Sequence, residues 1–143
     1  MKLNTKYHGK REYEEKDVII FNKGLPGFEE LRKFIIFPAE ENEIFSILHS
    51  IDDEAVALVV ISPFYAMEDY EFKLEDSLIE RLKIESQDQV IVLNTVTLDS
   101  KVENITTNLR APIIINKKYK LGEQIILNNE EYLIKYPLIK AGA

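Results

Sequence analysis

Histidine is the side chain best suited to move a proton or hold a metal near neutral pH, and this chain has two, His8 and His49. A zinc site needs three or four ligands at recognisable local spacings. Neither histidine has such neighbours, so the pair reads as ordinary surface or edge histidines on separate strands. Asp52-Asp53-Glu54 gathers three carboxylates but lacks the alternating ligands and the glycine of a calcium loop; it reads as a solvated turn between Ser50 and Ala55. Glu68 and Asp69 are adjacent, and neighbours on an extended chain point to opposite faces, so they do not converge on one bond as paired acid/base carboxylates must. Nucleophile-elbow, phosphate-loop and dinucleotide fingerprints are absent. With no cysteine, thiolate catalysis, disulfides and zinc–thiolate sites fall away together. The expectation is a protein without catalytic residues, cofactor or metal. A hydrolase would require carboxylates distant in the sequence to converge in a cleft with separated pKa values.

The charge balance points to partners. The 25 acidic residues against 18 basic give a net charge of −7, which repels nucleic-acid phosphate and favours encounter with a basic protein. Direct nucleic-acid binding is not expected. No apolar run approaches the ~20 residues of a membrane span; Ala55 to Ile61 is strand-sized. Met1 to Tyr7 has no apolar core, so no signal peptide is expected. The 143 residues suit one domain, with the tail from about 141 frayed.

Any site must be positioned mainly by strands. β-branched and aromatic runs occur at Asp17–Phe21, Lys33–Phe37, Ile44–Ser50, Val56–Ile61, Val90–Leu98, Ile113–Ile115, Gln124–Leu127 and Tyr132–Tyr136. Val56–Ile61 is continuously apolar and is expected to be covered on both faces. Leu127-Asn128-Asn129-Glu130 reads as a tight hairpin turn, since asparagine tolerates left-handed backbone. One helix is expected from the spacing of Leu74, Leu78, Ile79 and Leu82, capped by Asp76 or Ser77. Closely spaced strands with short connections predict a mostly β chain, a compact antiparallel β-barrel-like domain with one short helix.

Two phrases are more specific. In Gly24-Leu25-Pro26-Gly27-Phe28, proline sets φ at the first central turn position and glycine supplies a positive φ at the second. Leu25 and Phe28 would anchor that turn. Asn108-Leu109-Arg110-Ala111-Pro112-Ile113-Ile114-Ile115-Asn116 is an apolar strand opened by a proline, which has no N–H to give a ladder. Its two asparagines either bond loop backbone or face a partner.

In order along the chain, Thr5-Lys6-Tyr7, Phe21 to Phe28, Ile47 to Ser50, Ser62-Pro63-Phe64, Tyr70-Glu71-Phe72 and Asn108 to Asn116 resemble the FliW family of flagellar assembly factors. His49 stands where that family often has glutamine, and Arg110 where it often has lysine or glutamine; neither alters the turn geometry. The resemblance implies a cytoplasmic β-barrel without cofactor that binds two proteins. One is flagellin. The other is the dimeric RNA-binding translational regulator CsrA, whose repression of flagellin translation the freed protein antagonises allosterically.

A partner surface is expected at Glu68, Asp69, Tyr70, Glu71 and Phe72, where carboxylates alternate with aromatics that commonly anchor interfaces. The opposing reading makes Tyr70 and Phe72 core and leaves the acids merely solvated. A second expected surface is the strand entry at Asn108, Leu109, Arg110 and Pro112. A monomer is the simpler free state. The alternative to a protein-binding module is a small-ligand-binding β-barrel, which would need a dry pocket of several hundred Å³.

Overall fold

A computed structural model describes residues 1–40 and 44–138; the tail expected to fray from about 141 lies outside the described residues. The strands are β1 (Lys2–Asn4), β2 (Lys10–Glu12), β3 (Ile19–Ile20), β4 (Lys33–Pro38), β5 (Phe45–Ser50), β6 (Ala57–Ile61), β7 (Val90–Thr97), β8 (Thr106–Thr107), β9 (Ile113–Asn116), β10 (Leu121–Gln124) and β11 (Tyr136–Pro137), with α1 at Asp76–Arg81. β3 to β7 follow one another around a sheet that closes on itself. β7 pairs with β6 through Asn94 and Thr95 and with β9 through Val90–Leu93, while β9 pairs with β10 and β10 with β3. The ring is antiparallel except at β3–β10, which runs parallel through Ile20 and Leu121, so the sheet is mixed. β8 and β11 extend the far end of β7.

The barrel is filled by side chains. Phe21 and Phe34 meet edge to face at 5.4 Å, packed with Leu25, Leu48, Val60 and Ile113, each fully or almost fully buried. Burial at roughly 25 cal/mol per Å² of apolar surface holds such a core together. β6 is buried at Val60 and Ile61 but only half-covered at Ala57, Leu58 and Val59, so its apolar run is not shielded on both faces along its length.

The proline–glycine phrase forms the expected turn. Phe28 N–H donates to Leu25 C=O at 2.7 Å and Gly27 has φ +85°, the geometry of a type II turn. Leu25 anchors it in the core, 1% exposed, whereas Phe28 is exposed. Gly24 is the tighter constraint: φ is +65°, and a Cβ there would sit 2.5 Å from the Glu29 carbonyl oxygen.

Several sequence expectations change. His8 lies in the turn between β1 and β2 rather than on a strand. The hairpin expected at Leu127–Glu130 does not form; β10 ends at Gln124, and residues 125–135 carry no strand. Tertiary bonds take those backbone groups instead: Leu127 N–H donates to Arg110 C=O at 2.7 Å, and Leu133 C=O accepts from Leu109 N–H at 3.0 Å. Helix α1 starts after Glu75, and no side chain caps it, so Asp76 is its first residue and neither Asp76 nor Ser77 is the cap. It ends in a Schellman motif. Ile84 N–H bonds Ile79 C=O at 2.9 Å and Lys83 N–H bonds Glu80 C=O at 3.1 Å, with Lys83 at φ +55°.

Candidate functional site

The two expected surfaces are one structure. Tyr70 is 4% exposed and Leu109 is fully buried, and the Tyr70 hydroxyl donates to the Leu109 carbonyl at 2.6 Å. Tyr132, from the segment expected to be a strand, packs its ring 4.7 Å from that of Tyr70. Its hydroxyl donates to Glu71 C=O at 2.7 Å and accepts from Glu71 N–H at 3.1 Å. Arg110 closes the arrangement, donating from Nε to Tyr132 C=O and from an Nη to Glu130 C=O, each at 2.9 Å. Three loops are therefore tied by two tyrosines and one arginine. They expose Glu68, Asp69 and Glu71 from one segment and Glu130 and Glu131 from another.

This arrangement sorts the sequence-predicted residues. Tyr70, Leu109 and Pro112 lie below the surface, where they support the patch from beneath. For Tyr70 the core reading holds. Its ring also meets Phe72 at 5.6 Å, and Phe72 is half-buried. Glu68, Asp69 and Glu71 form the accessible part, with Arg110 and Asn108 half-buried beside it. Asn108 acts on its own loop, its Oδ1 accepting from Arg110 N–H at 3.0 Å and Ala111 N–H at 3.1 Å. Asn116 does likewise: Oδ1 accepts from Lys118 N–H at 2.9 Å while Nδ2 donates to the Leu82 carbonyl at 2.8 Å, beyond the end of α1. Both asparagines thus serve loop backbone, the first of the two readings.

Burial pushes the Tyr70 hydroxyl up to about 12; a hydrogen bond from Asn94 opposes the shift and nearby Tyr132 adds to it. Tyr70 therefore remains a hydrogen-bond donor at neutral pH. Beside it, Asn94 is fully buried and donates to Asn108 C=O at 2.6 Å, but its Oδ1 has no partner among the described residues. Asn94 and Tyr132 are the supporting residues that sequence reading missed. Tyr132 carried a usable signal, since two acids precede it in Glu130-Glu131-Tyr132 as they precede Tyr70 in Glu68-Asp69-Tyr70.

The remaining polar chemistry is dispersed. Among the described residues no three His, Asp or Glu side chains gather to hold a metal ion. His8 and His49 do approach, with ring centroids 6.1 Å apart and Phe37 beside both. His49 Nδ1 lies 2.7 Å from the Ser50 carbonyl. His8 is held below the usual histidine range, first by burial and then by the charges of His49 and Arg11, with Glu40 opposing. The concavities among the described residues include surface grooves of about 760 Å³ beside α1 and about 590 Å³ beside the β1–β2 turn. No described helix is long and apolar enough to cross a membrane.

A side-chain-filled closed barrel whose elaborated feature is a tied, acid-fringed loop cluster defines a class of small β-barrels built around their surface. The sequence matches the family described as FliW protein over residues 2–138, and the chain belongs to the FliW family. It is 63% identical over 142 residues to a Clostridium novyi protein named flagellar assembly factor FliW, covering 99% of each. It is 59% identical to a Clostridium botulinum protein of the same name over the full length of both. A solved structure described as the crystal structure of the flagellar assembly factor FliW superposes with a TM-score of 0.92 at 37% identity, covering 100% of both chains.

Proposed function

We propose that this protein is a cytoplasmic flagellar assembly factor that acts by binding rather than by catalysis. It holds flagellin while flagellin accumulates. Once freed by flagellin export, it binds the CsrA translational regulator and allosterically relieves repression of flagellin translation. Family membership supports the partners. The observation that carries the mode of action is the loop cluster tied by Tyr70, Tyr132 and Arg110, which presents Glu68, Asp69 and Glu71 on an ordered rim. An RNA-binding regulator carries basic residues for phosphate, and a chain of charge −7 with an acidic rim approaches such a protein with favourable long-range steering, whichever face of it is bound.

Calorimetry with the same organism's CsrA, repeated in the presence of flagellin, tests this reading. Binding that flagellin abolishes is expected. A folded protein that binds neither overturns it. Charge reversal at Glu68, Asp69 and Glu71 is expected to weaken CsrA binding with the thermal midpoint unchanged, and full affinity in that variant would remove the rim from the interface.

A further inference from the structure

We propose that the segment Glu71–Glu75 and the groove beside it form a docking site for a β-strand of a partner protein, one with apolar residues at alternate positions and lysine or arginine between them.

The backbone supplies the first reason. Among the described residues, the N–H and C=O groups of Phe72, Lys73 and Leu74 have no hydrogen-bond partner. The segment is nevertheless fixed at both ends. Tyr132 grips both backbone groups of Glu71, and Glu75 C=O accepts from Leu78 and Ile79 at 3.0 and 3.1 Å. A stretch with free backbone groups, held at both ends and leaving through an extended Glu75, offers what β-strand addition requires. The central sheet offers no comparable stretch between β3 and β7, because there it closes on itself.

The side chains supply the second. Polar and apolar residues alternate through Glu71, Phe72, Lys73, Leu74 and Glu75, and exposure alternates in step, with Phe72 and Leu74 half-buried and the other three exposed. The adjoining groove of about 760 Å³ is floored by Phe72, Leu74, Ile79, Ile84 and Val90. That floor suits the alternate apolar side chains of an added strand.

Charge selects the occupant. Glu71, Asp76 and Glu85 line the same groove beside Lys73; Glu85 also pairs with Lys118 at 3.5 Å, so Glu71 and Asp76 carry most of its free negative charge. Glu85 is held below the usual carboxylate range by the Tyr119 hydroxyl, with Lys118 also contributing, so it stays anionic. A second copy of this chain fits badly: antiparallel self-pairing centred on Lys73 sets Glu71 of each copy opposite Glu75 of the other, and like charges directly opposite are destabilising. A basic, alternating strand removes that conflict.

This inference does not depend on the identity of the family's partners, and its test uses the chain alone. The probe is a synthetic peptide of about eight residues alternating valine or isoleucine with lysine or arginine. Its controls replace the basic residues by glutamate or N-methylate alternate amides. Binding is followed by ¹⁵N NMR and amide exchange on the full chain. The basic peptide is expected to shift and protect the amides of Phe72, Lys73 and Leu74. Either control is expected to bind at least about tenfold more weakly, the change that ~1.4 kcal/mol produces. E71Q is expected to weaken the basic peptide severalfold while leaving the rest of the spectrum in place. No saturable shift up to about 5 mM peptide, shifts centred outside this groove, or equal binding by the N-methylated peptide would each overturn the proposal.

Discussion

Replacing Tyr70 by Phe and, separately, Tyr132 by Phe separates the buried from the accessible part of the loop cluster. Each change deletes one hydroxyl and leaves a ring of nearly the same volume. The Tyr70 hydroxyl donates to Leu109 C=O at 2.6 Å, between a residue 4% exposed and one fully buried. Without it, that carbonyl is stranded away from water, a loss of about 1–3 kcal/mol. The Tyr132 hydroxyl also makes two bonds, but both go to the backbone of Glu71, an exposed residue where water can substitute. The net loss there is about 1–3 kcal/mol, from two intramolecular hydrogen bonds at ~0.5–1.5 kcal/mol each. In a domain of this size each kcal/mol moves the thermal midpoint by about 2–4 °C. Each variant is therefore expected to lower it by about 2–12 °C. Binding to the regulator should separate the two, because Tyr132→Phe unties Glu71 from the rim whereas Tyr70→Phe leaves the Glu71 bonds in place. Urea titration and calorimetry on both variants, with regulator binding measured beside them, decide the matter. If Tyr70→Phe weakens regulator binding as much as Tyr132→Phe does, the division into buried support and accessible rim is wrong.

Gly24→Ala should unfold or severely destabilise the chain, because its Cβ would collide with Glu29 backbone at 2.5 Å. Gly27→Ala has open space around it and should cost only the ~1–2 kcal/mol of a left-handed residue; equal midpoints for the two would refute the steric argument. Arg81 holds Glu123 through two bonds of 3.0 and 2.8 Å, and Glu123 is 8% exposed with Lys23 at 3.8 Å as its other cation. Arg81→Met should cost about 1.5–3 kcal/mol in urea titration, and adding Glu123→Met should recover part of it by removing the stranded charge. Because His8 titrates below its usual range in the fold, the unfolded chain takes up that proton first as pH falls. Its stabilising contribution is complete above about pH 6.5 and declines as pH drops toward the lower folded value. Amide protection factors in β1 and β2, corrected for the intrinsic pH dependence of exchange, should fall over that window, and His8→Asn should flatten the dependence; an unchanged slope in the variant would assign it to other groups.

Local chemistry made much of this chain legible from residue types alone. Proline fixes φ and glycine permits a positive one, so Leu25–Phe28 reads as a type II turn without coordinates. β4, β5, β6, β7 and β9 fall close to their apolar runs, because β-branched residues in half-buried strands leave a pattern wherever they pair. The 3.6-residue spacing placed α1 within a residue or two of its observed start, and the ordered phrases from Thr5 to Asn116 carried the family. Tertiary structure decided the rest, for one recurrent reason: a backbone N–H or C=O is satisfied by whatever the fold brings within reach. Residues 127–133 have the composition of a hairpin, but Leu109 and Arg110 arrive first as partners and the segment becomes a strap. Phe28 has the hydrophobicity of an anchor, yet the turn directs it outward. The parallel contact of β3 with β10 joins residues a hundred positions apart and leaves no local mark. Glu68–Phe72 and Asn108–Pro112 were each visible as unusual phrases. That they form one cluster follows from the Tyr70 hydroxyl, which reaches Leu109 C=O, and from Tyr132, whose hydroxyl holds Glu71 while its carbonyl accepts from Arg110, contacts made only after the barrel has closed.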